Sequence, residues 1–164
     1  MMCLCLRHQK VIGYEKDGEL DVMKRYNIIM VYDHDFKRIL FCRRKKRPYL
    51  GKLNFPGGKW EEGETYFDSA YRELWEETGI GHDAITPMFH LIDYLYYDTD
   101  SILELYVCRL RRNVELLPEE NGNELIWVSI EGTDFGDNEI FGGDGNILHC
   151  YLMAKRNHEL IFGK

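Results

Sequence analysis

The chain has 164 residues, 45% hydrophobic and 30% charged, which is ordinary globular usage and suits a single domain over 1–164 with its own core. Its net charge of −7 argues against nucleic acid as a partner, because non-specific affinity comes mainly from neutralising phosphates. No apolar run reaches bilayer length, MMCLCLRHQK is not a secretory signal, and five scattered cysteines point to reduced thiols in the cytoplasm.

Cys3 and Cys5 read as two small apolar residues of a short strand, since no second cysteine pair stands at zinc spacing. VIGYEKDGELDVM has a turn at KDGE between extended segments, predicting a small hairpin extension within residues 1–25. YNIIMVYD, from Tyr26, is a nearly continuous run of β-formers, as in a strand covered on both faces. DHDFK turns the chain and RILFC returns as the next strand. RRKKRPYLGK is a basic loop broken by Gly and Pro, and LNFPGGK ends in another turn. Helical periodicity then takes over from 65 to 78, with Phe67, Ala70, Tyr71, Leu74 and Thr78 on one mostly apolar stripe. Thr65 with Asp68 resembles a capping box with a shorter acid, and Gly79 suits the position just past the helix, with Ile80 packing back. FHLIDYLYYD and ILELYVCRL read as strands joined at DTDS, ELIWVSI as a further strand, and NILHCYLMAKRNH as a final helix. Strands on both sides of a central helix, with a second helix at the end, predict an α/β fold with a mixed sheet between helices.

The stretch 57–80, GGKWEEGETYFDSAYRELWEETGI, holds seven acidic and two basic residues. Glu73, Glu76 and Glu77 stand at i, i+3 and i+4, on one side of the helix and away from the apolar stripe. Two such charges about 6 Å apart repel by about 3 kcal/mol at an effective dielectric near 20. A helix C-terminus disfavours negative charge as well. A solvated glutamate face is the plain alternative, and Glu61 and Glu62 read that way. The context favours a site. Pro56-Gly57-Gly58 supplies a tight turn whose carbonyls and amides can approach a ligand closely, and Glu64 at the helix start can reach the same place. Hard carboxylate oxygens suit Mg²⁺ or Mn²⁺, which would turn the repulsion into ligation.

These residues resemble the Nudix hydrolases, whose motif is G-x5-E-x7-R-E-U-x-E-E-x-G-U with U aliphatic. Gly58, Glu64, Arg72-Glu73-Leu74, Glu76-Glu77, Gly79 and Ile80 match every fixed position over 23 residues. The broader resemblance covers roughly 26 to 157. It implies an α/β/α sandwich with a mixed sheet, and hydrolysis of a nucleoside diphosphate linked to X into a nucleoside monophosphate and phospho-X. By the same resemblance Glu73, Glu76 and Glu77 are metal ligands with a main-chain carbonyl near Gly57, and Glu64 supports a metal or its water. Arg72 orients the glutamates. Some family members draw the catalytic base from a loop before the W-V-S strand. Of Glu119, Glu120 and Glu124 in that region, Glu120 is favoured as an extra ligand or base, with Glu73 the candidate inside the motif.

Substrate clues lie upstream. Arg43, Arg44 and Lys46 of the basic loop are candidates to hold a polyphosphate, against a solvated loop, with Gly58 approaching the substrate and Pro48-Tyr49 shaping the rim. Asn54 stands three residues before Gly57, where oxidised-purine triphosphatases of the family place a base-reading asparagine, although a strand-end Asn also caps turns. Asp134, Asp137 or Asn138 is a candidate second base contact. Tyr97 falls where the diadenosine polyphosphate group carries a tyrosine, but DYLYY holds three. The expected partner is a small nucleotide, with no nucleic acid and no membrane, bound by a monomer or homodimer. The expectation is a Mg²⁺- or Mn²⁺-dependent pyrophosphohydrolase acting on a nucleoside triphosphate, oxidised or not. The alternatives are a dinucleoside polyphosphate or nucleotide-sugar hydrolase and a non-catalytic nucleotide sensor.

Overall fold

The apolar run beginning at Tyr26 becomes the central strand of the molecule. The structure is a computed structural model describing residues 13–16, 19–118, 120 and 122–163, of which 13–16 and 19–22 are described through their backbone. The strand expected around Cys3 and Cys5 lies outside the described residues. Strands β1 (Gly13–Lys16) and β2 (Glu19–Val22) pair antiparallel as a sheet of their own, the hairpin expected there. The main sheet contains β3 (Lys24–Tyr32), β4 (Arg38–Arg43), β5 (Leu53–Asn54), β6 (Phe89–Tyr96), β7 (Ser101–Arg109) and β8 (Glu124–Ser129). Its order is β5-β4-β3-β7-β6 with β8 paired to β4. Strands β3 and β7 run parallel from Lys24–Ser101 to Tyr32–Arg109, and the other pairs are antiparallel, so the sheet is mixed.

Alternation along the strands sorts the core into two layers. Ile29 and Val31 of β3, Leu40 of β4 and Tyr106 and Cys108 of β7 face helix α1 (Tyr66–Thr78), against Ala70 and Leu74. Ile28, Met30 and Tyr32, with Ile39, Phe41, Leu105 and Val107, face the other way, against Ile147, Cys150 and Ala154 of helix α2 (Asn146–Arg156). A sheet covered on both faces explains why these strands read as continuous apolar runs. The architecture is an α/β/α sandwich.

Helix α1 starts where Thr65 accepts the Asp68 N–H on its hydroxyl oxygen at 3.1 Å and donates its own proton to the Asp68 carboxylate at 2.6 Å. The short aspartate closes the box on the hydroxyl, where a longer glutamate would reach the backbone. The helix ends at Gly79, left-handed at φ 72°, whose N–H donates to the Trp75 carbonyl. The apolar stripe is narrower than its sequence suggests. Phe67 is 42% exposed, meeting Tyr106 edge-on at 5.2 Å, while Ser69 is buried instead. The final helix is also shorter than expected. The Asn157 side chain donates to the Met153 carbonyl at 2.8 Å, and a separate short helix α3 (His158–Phe162) follows.

One feature of the sheet sets up everything downstream. Strand β4 meets β3 at Tyr32–Ile39 and then diverges, its far end pairing with β5 at Cys42–Asn54. The edge of β3 that β4 leaves is taken by the glycine turn. The N–H of Ile29 donates to the Pro56 carbonyl, the N–H of Asn27 to the Gly58 carbonyl, both at 2.8 Å, and the N–H of Trp60 to the Arg25 carbonyl at 3.1 Å. The turn is thus clamped into the sheet directly before α1.

Candidate active site

Two glutamates of α1, Glu73 and Glu77, meet the glycine turn, and Arg72 binds Glu73 and Glu76. Its guanidinium donates to Glu64 at 2.6 and 3.1 Å, to Glu73 at 2.9 Å, to Glu76 at 3.0 Å and to the Lys59 carbonyl at 3.1 Å. One planar cation therefore spans the helix start, the helix body and the turn, which an ammonium could not do. The Arg72 hydrogen bond holds the Glu64 carboxyl below the ordinary range, and the same contacts raise Arg72 further. Burial pushes the Glu73 carboxyl up, opposed by Arg72 and reinforced by the charge of Glu76. Glu77 turns the other way and accepts the Gly57 N–H at 2.9 Å.

The two glycines are required for different reasons. Gly57 sits at φ 146°, and a Cβ there would lie 2.2 Å from the Asn27 carbonyl oxygen. A Cβ on Gly58 would lie 2.3 Å from the Glu73 carboxylate. The absent side chain at Gly58 is the space that the Glu73 carboxylate fills.

Two cavities meet at this turn and share Tyr26, Arg44, Gly57 and Gly58. The first, about 590 Å³, is polar and charged, lined by Glu73, Glu77, Glu120, Lys45, Lys46, Lys59 and Asn123. The second, about 560 Å³, is walled by Ile28, Phe55, Leu103, Ile147, Tyr49 and Tyr96, with Asn54, Asp144 and Asn146 as polar groups. Across its mouth the Tyr49 hydroxyl donates to Asp144 at 3.1 Å, and Asn146 bonds the Tyr96 hydroxyl.

The residues singled out in the sequence therefore fall into groups. Gly57, Gly58, Glu73, Glu77, Glu120, Arg44 and Lys46 come together on the first cavity. Glu64 and Glu76 line neither cavity and join the group through Arg72. Asn54 lines the second cavity, and its side-chain oxygen accepts the N–H of Phe55 at 2.9 Å, the turn-capping contact of a strand-end Asn. Pro48 and Tyr49 wall the same cavity. Arg43 stands apart. It alternates to the opposite side of β4 from Cys42 and is held by Glu124 at 3.0 Å and the Gly51 carbonyl at 3.0 Å, away from both cavities. Asp134, Asp137 and Asn138 also lie away from both. The two aspartates accept the N–H groups of Gly136 and Glu139 in their own loop, and the Asn138 carbonyl accepts from Lys52. Glu119 lies outside the described residues. Asp144 and Asn146, a few residues further on, line the second cavity instead, as does Tyr96, while Tyr97 is exposed. Nothing in the sequence distinguishes these residues, because the loops that bring them together are remote along the chain. The sequence signal for Asn27 is its place inside YNIIMVYD, where an Asn is a polar break in an apolar strand.

No three His, Cys, Asp or Glu side chains among the described residues are grouped closely enough to grip an ion as they stand. The cause is visible: Arg72 holds Glu73 and Glu76, and the Gly57 N–H holds Glu77. The donor chemistry still suits a hard divalent cation. Carboxylate oxygens from neighbouring turns stand beside main-chain groups of the glycine turn, and Glu73 presses into the space left by Gly58.

Comparison with known proteins agrees with this geometry. The NUDIX domain family matches residues 23–149. The 8-oxo-dGTP diphosphatase of Escherichia coli (strain K12) is 32% identical over 119 residues, covering 70% of this chain and 88% of that one. The mouse (Mus musculus) oxidized purine nucleoside triphosphate hydrolase is 28% identical over 88 residues, and this chain spans about half of it (54% of each). Among solved structures, a bifunctional NMN adenylyltransferase/ADP ribose pyrophosphatase from Francisella tularensis, complexed with AMP and a Mn ion, superposes with a TM-score of 0.63 at 20% identity. That match covers 81% of this chain and 42% of the other, and at such identity it speaks for the fold alone. The motif on α1, the mixed sheet that presents it and the match over 23–149 lead to one conclusion: the chain belongs to the Nudix (MutT-like) family.

Proposed function

We propose that the chain hydrolyses a nucleoside triphosphate, oxidised or not, to a nucleoside monophosphate and pyrophosphate, using Mg²⁺ or Mn²⁺. The observation that carries this reading is the contrast between two cavities meeting at one glycine turn. The second has aromatic and aliphatic walls with an amide and a carboxylate, which suits a nucleobase and sugar. The first is lined by Arg44, Lys45, Lys46, Glu73, Glu77 and Glu120, and among the described residues Tyr26 is its sole aromatic one. That lining suits phosphates and offers a second nucleoside little apolar surface, so a dinucleoside polyphosphate or nucleotide sugar is the less favoured substrate.

In this reading Glu73, Glu76, Glu77 and the Gly57 carbonyl hold the metal, with Glu64 behind them. Bound there, the cation supplies neutralisation of phosphoryl charge and a more acidic water. The chain's own residues do the rest. Arg72 keeps three carboxylates in register, and Arg44, Lys45 and Lys46 hold the polyphosphate in line. Water attacks phosphorus as the bridging P–O bond breaks, and its proton passes to a carboxylate, Glu73 or Glu120. Asn54 contacts the base through its amide.

The test is a panel of nucleoside triphosphates, 8-oxo-purine forms, dinucleoside polyphosphates and nucleotide sugars assayed with Mg²⁺ or Mn²⁺, products separated by chromatography. Triphosphates should be cut fastest, giving monophosphate and pyrophosphate. A faster dinucleoside polyphosphate would overturn the cavity argument, and binding without any product would favour the sensor.

A further inference from the structure

The apolar run of β3 is broken by Asn27, which is only 2% exposed. A buried primary amide brings two donors and an acceptor that need partners. Its side-chain oxygen accepts the Gly58 N–H at 3.2 Å, and its side-chain nitrogen donates to the Ser69 hydroxyl at 3.1 Å, itself 1% exposed. Its main-chain N–H donates to the Gly58 carbonyl at 2.8 Å. Gly58 is thus held through both of its polar groups by one residue. Ser69 lies one helical turn before Glu73, so the same amide is fixed to the helix that carries the glutamates.

A purely structural role would ask only that the buried amide be satisfied. The choice of partners goes further. The two bodies that Asn27 joins are the ones whose separation defines the site: the turn, where Gly57 holds Glu77 at 2.9 Å and Gly58 abuts Glu73, and helix α1. An aliphatic residue would fill the strand position without burying polar groups, but it would leave the gap between turn and helix unfixed. Asn27 lines the second cavity and not the first, so it sits behind the carboxylates rather than among them.

We propose that Asn27 is a positioning residue for the metal site: its amide bridge from Gly58 to Ser69 sets the gap between the glycine turn and α1, so that Glu73, Glu77 and the Gly57 carbonyl can act on one cation. The proposal rests on the metal-site reading above. Residues that orient metal ligands typically cost tenfold or more in affinity when removed.

Mn²⁺ binding to the full chain, followed by electron paramagnetic resonance, tests this directly for the unmodified protein, Asn27→Ala and Ser69→Ala. Circular dichroism melts establish which variants fold. Asn27→Ala should bind Mn²⁺ several tens of times more weakly, on the order of 30-fold, and Ser69→Ala about tenfold more weakly. In hydrolysis assays kcat should fall at low metal and recover as Mg²⁺ is raised, with nucleotide KM little changed. A general loosening of the fold would not be rescued by metal. Folded variants with unmodified Mn²⁺ affinity would overturn the proposal, and if Asn27→Ala does not fold, Ser69→Ala decides alone. Failure of the unmodified protein to bind Mn²⁺ would instead overturn the metal-site reading itself.

Discussion

Replacing Gly57 or Gly58 with alanine should separate folding from chemistry, although the two residues are adjacent. At Gly57 the new methyl would stand 2.2 Å from the Asn27 carbonyl oxygen and 2.9 Å from the Ile28 Cα, with φ at 146°. Both neighbours are backbone of the central strand and cannot turn aside. Strained φ costs about 1–3 kcal/mol and overpacking about as much again, so roughly 2–6 kcal/mol is expected from a total of about 5–15. That corresponds to a melting temperature lower by roughly 10 °C. At Gly58 φ is not positive, and the clash is with the Glu73 carboxylate at 2.3 Å, the far end of a flexible side chain. Glu73 can swing outward, which relieves the clash at a cost of about 1 kcal/mol. The site then loses a carboxylate from its place, and a displacement of about 1 Å can cost about 10²-fold in rate. Thermal melts by circular dichroism and an initial-rate nucleotide assay read both effects. Gly57→Ala melting like the unmodified protein, or Gly58→Ala keeping its rate, would refute the reasoning.

Other perturbations separate neighbours in the same way. Arg43→Ala should leave KM within about twofold, since Arg43 is engaged by Glu124 and Gly51, whereas Arg44→Ala or Lys46→Ala should raise KM about tenfold; equal effects would contradict the cavity assignment. Arg72→Lys loses the planar fork across Glu64, Glu73 and Glu76, so stability should fall by roughly 1–3 kcal/mol and kcat by at least about tenfold, read by melting and initial rates. Burial pushes the Asp33 carboxyl up, but the Arg38 side chain and the backbone N–H groups of Arg38 and Lys37 outweigh it and leave it lowered. A lowered carboxylate stabilises the fold above its ordinary value near 3.9 and loses that contribution as pH falls through the folded value. The melting deficit of Asp33→Asn should therefore shrink as melts are repeated from pH 7 down to pH 3. A constant deficit would show that Asp33 does not act through its charge.

The parts of the fold legible in sequence are those where local chemistry and tertiary packing agree. Thr65 and Gly79 bound α1 because a cap and a left-handed glycine are local devices, and Ile29, Val31 and Leu40 read as strand because both faces of the sheet are covered. Phe67 misled because its position on the stripe ignores how far the sheet extends beneath the first turn. The motif brought Glu73, Glu77 and Gly58 together from spacing alone, since one helix and one turn carry them. Arg43 and Arg44 could not be separated, because their opposite sides depend on β4 pairing with both β5 and β8. Asp144, Asn146, Tyr49 and Tyr96 meet only after distant loops fold over the second cavity. Asn27 needed the divergence of β3 and β4 to give its amide something to hold.

The account stands on the claim that the α1 glutamates hold a divalent cation for pyrophosphate cleavage. The direct measurement is the rate at which unmodified protein and Glu77→Gln release nucleoside monophosphate and pyrophosphate from a triphosphate, with Mg²⁺ and with chelator. Glu77→Gln keeps an acceptor for the Gly57 N–H and should stay folded, yet lose activity by about 10²-fold or more, while chelator abolishes the unmodified rate. A folded Glu77→Gln working at the unmodified rate, or a rate indifferent to chelator, would contradict it.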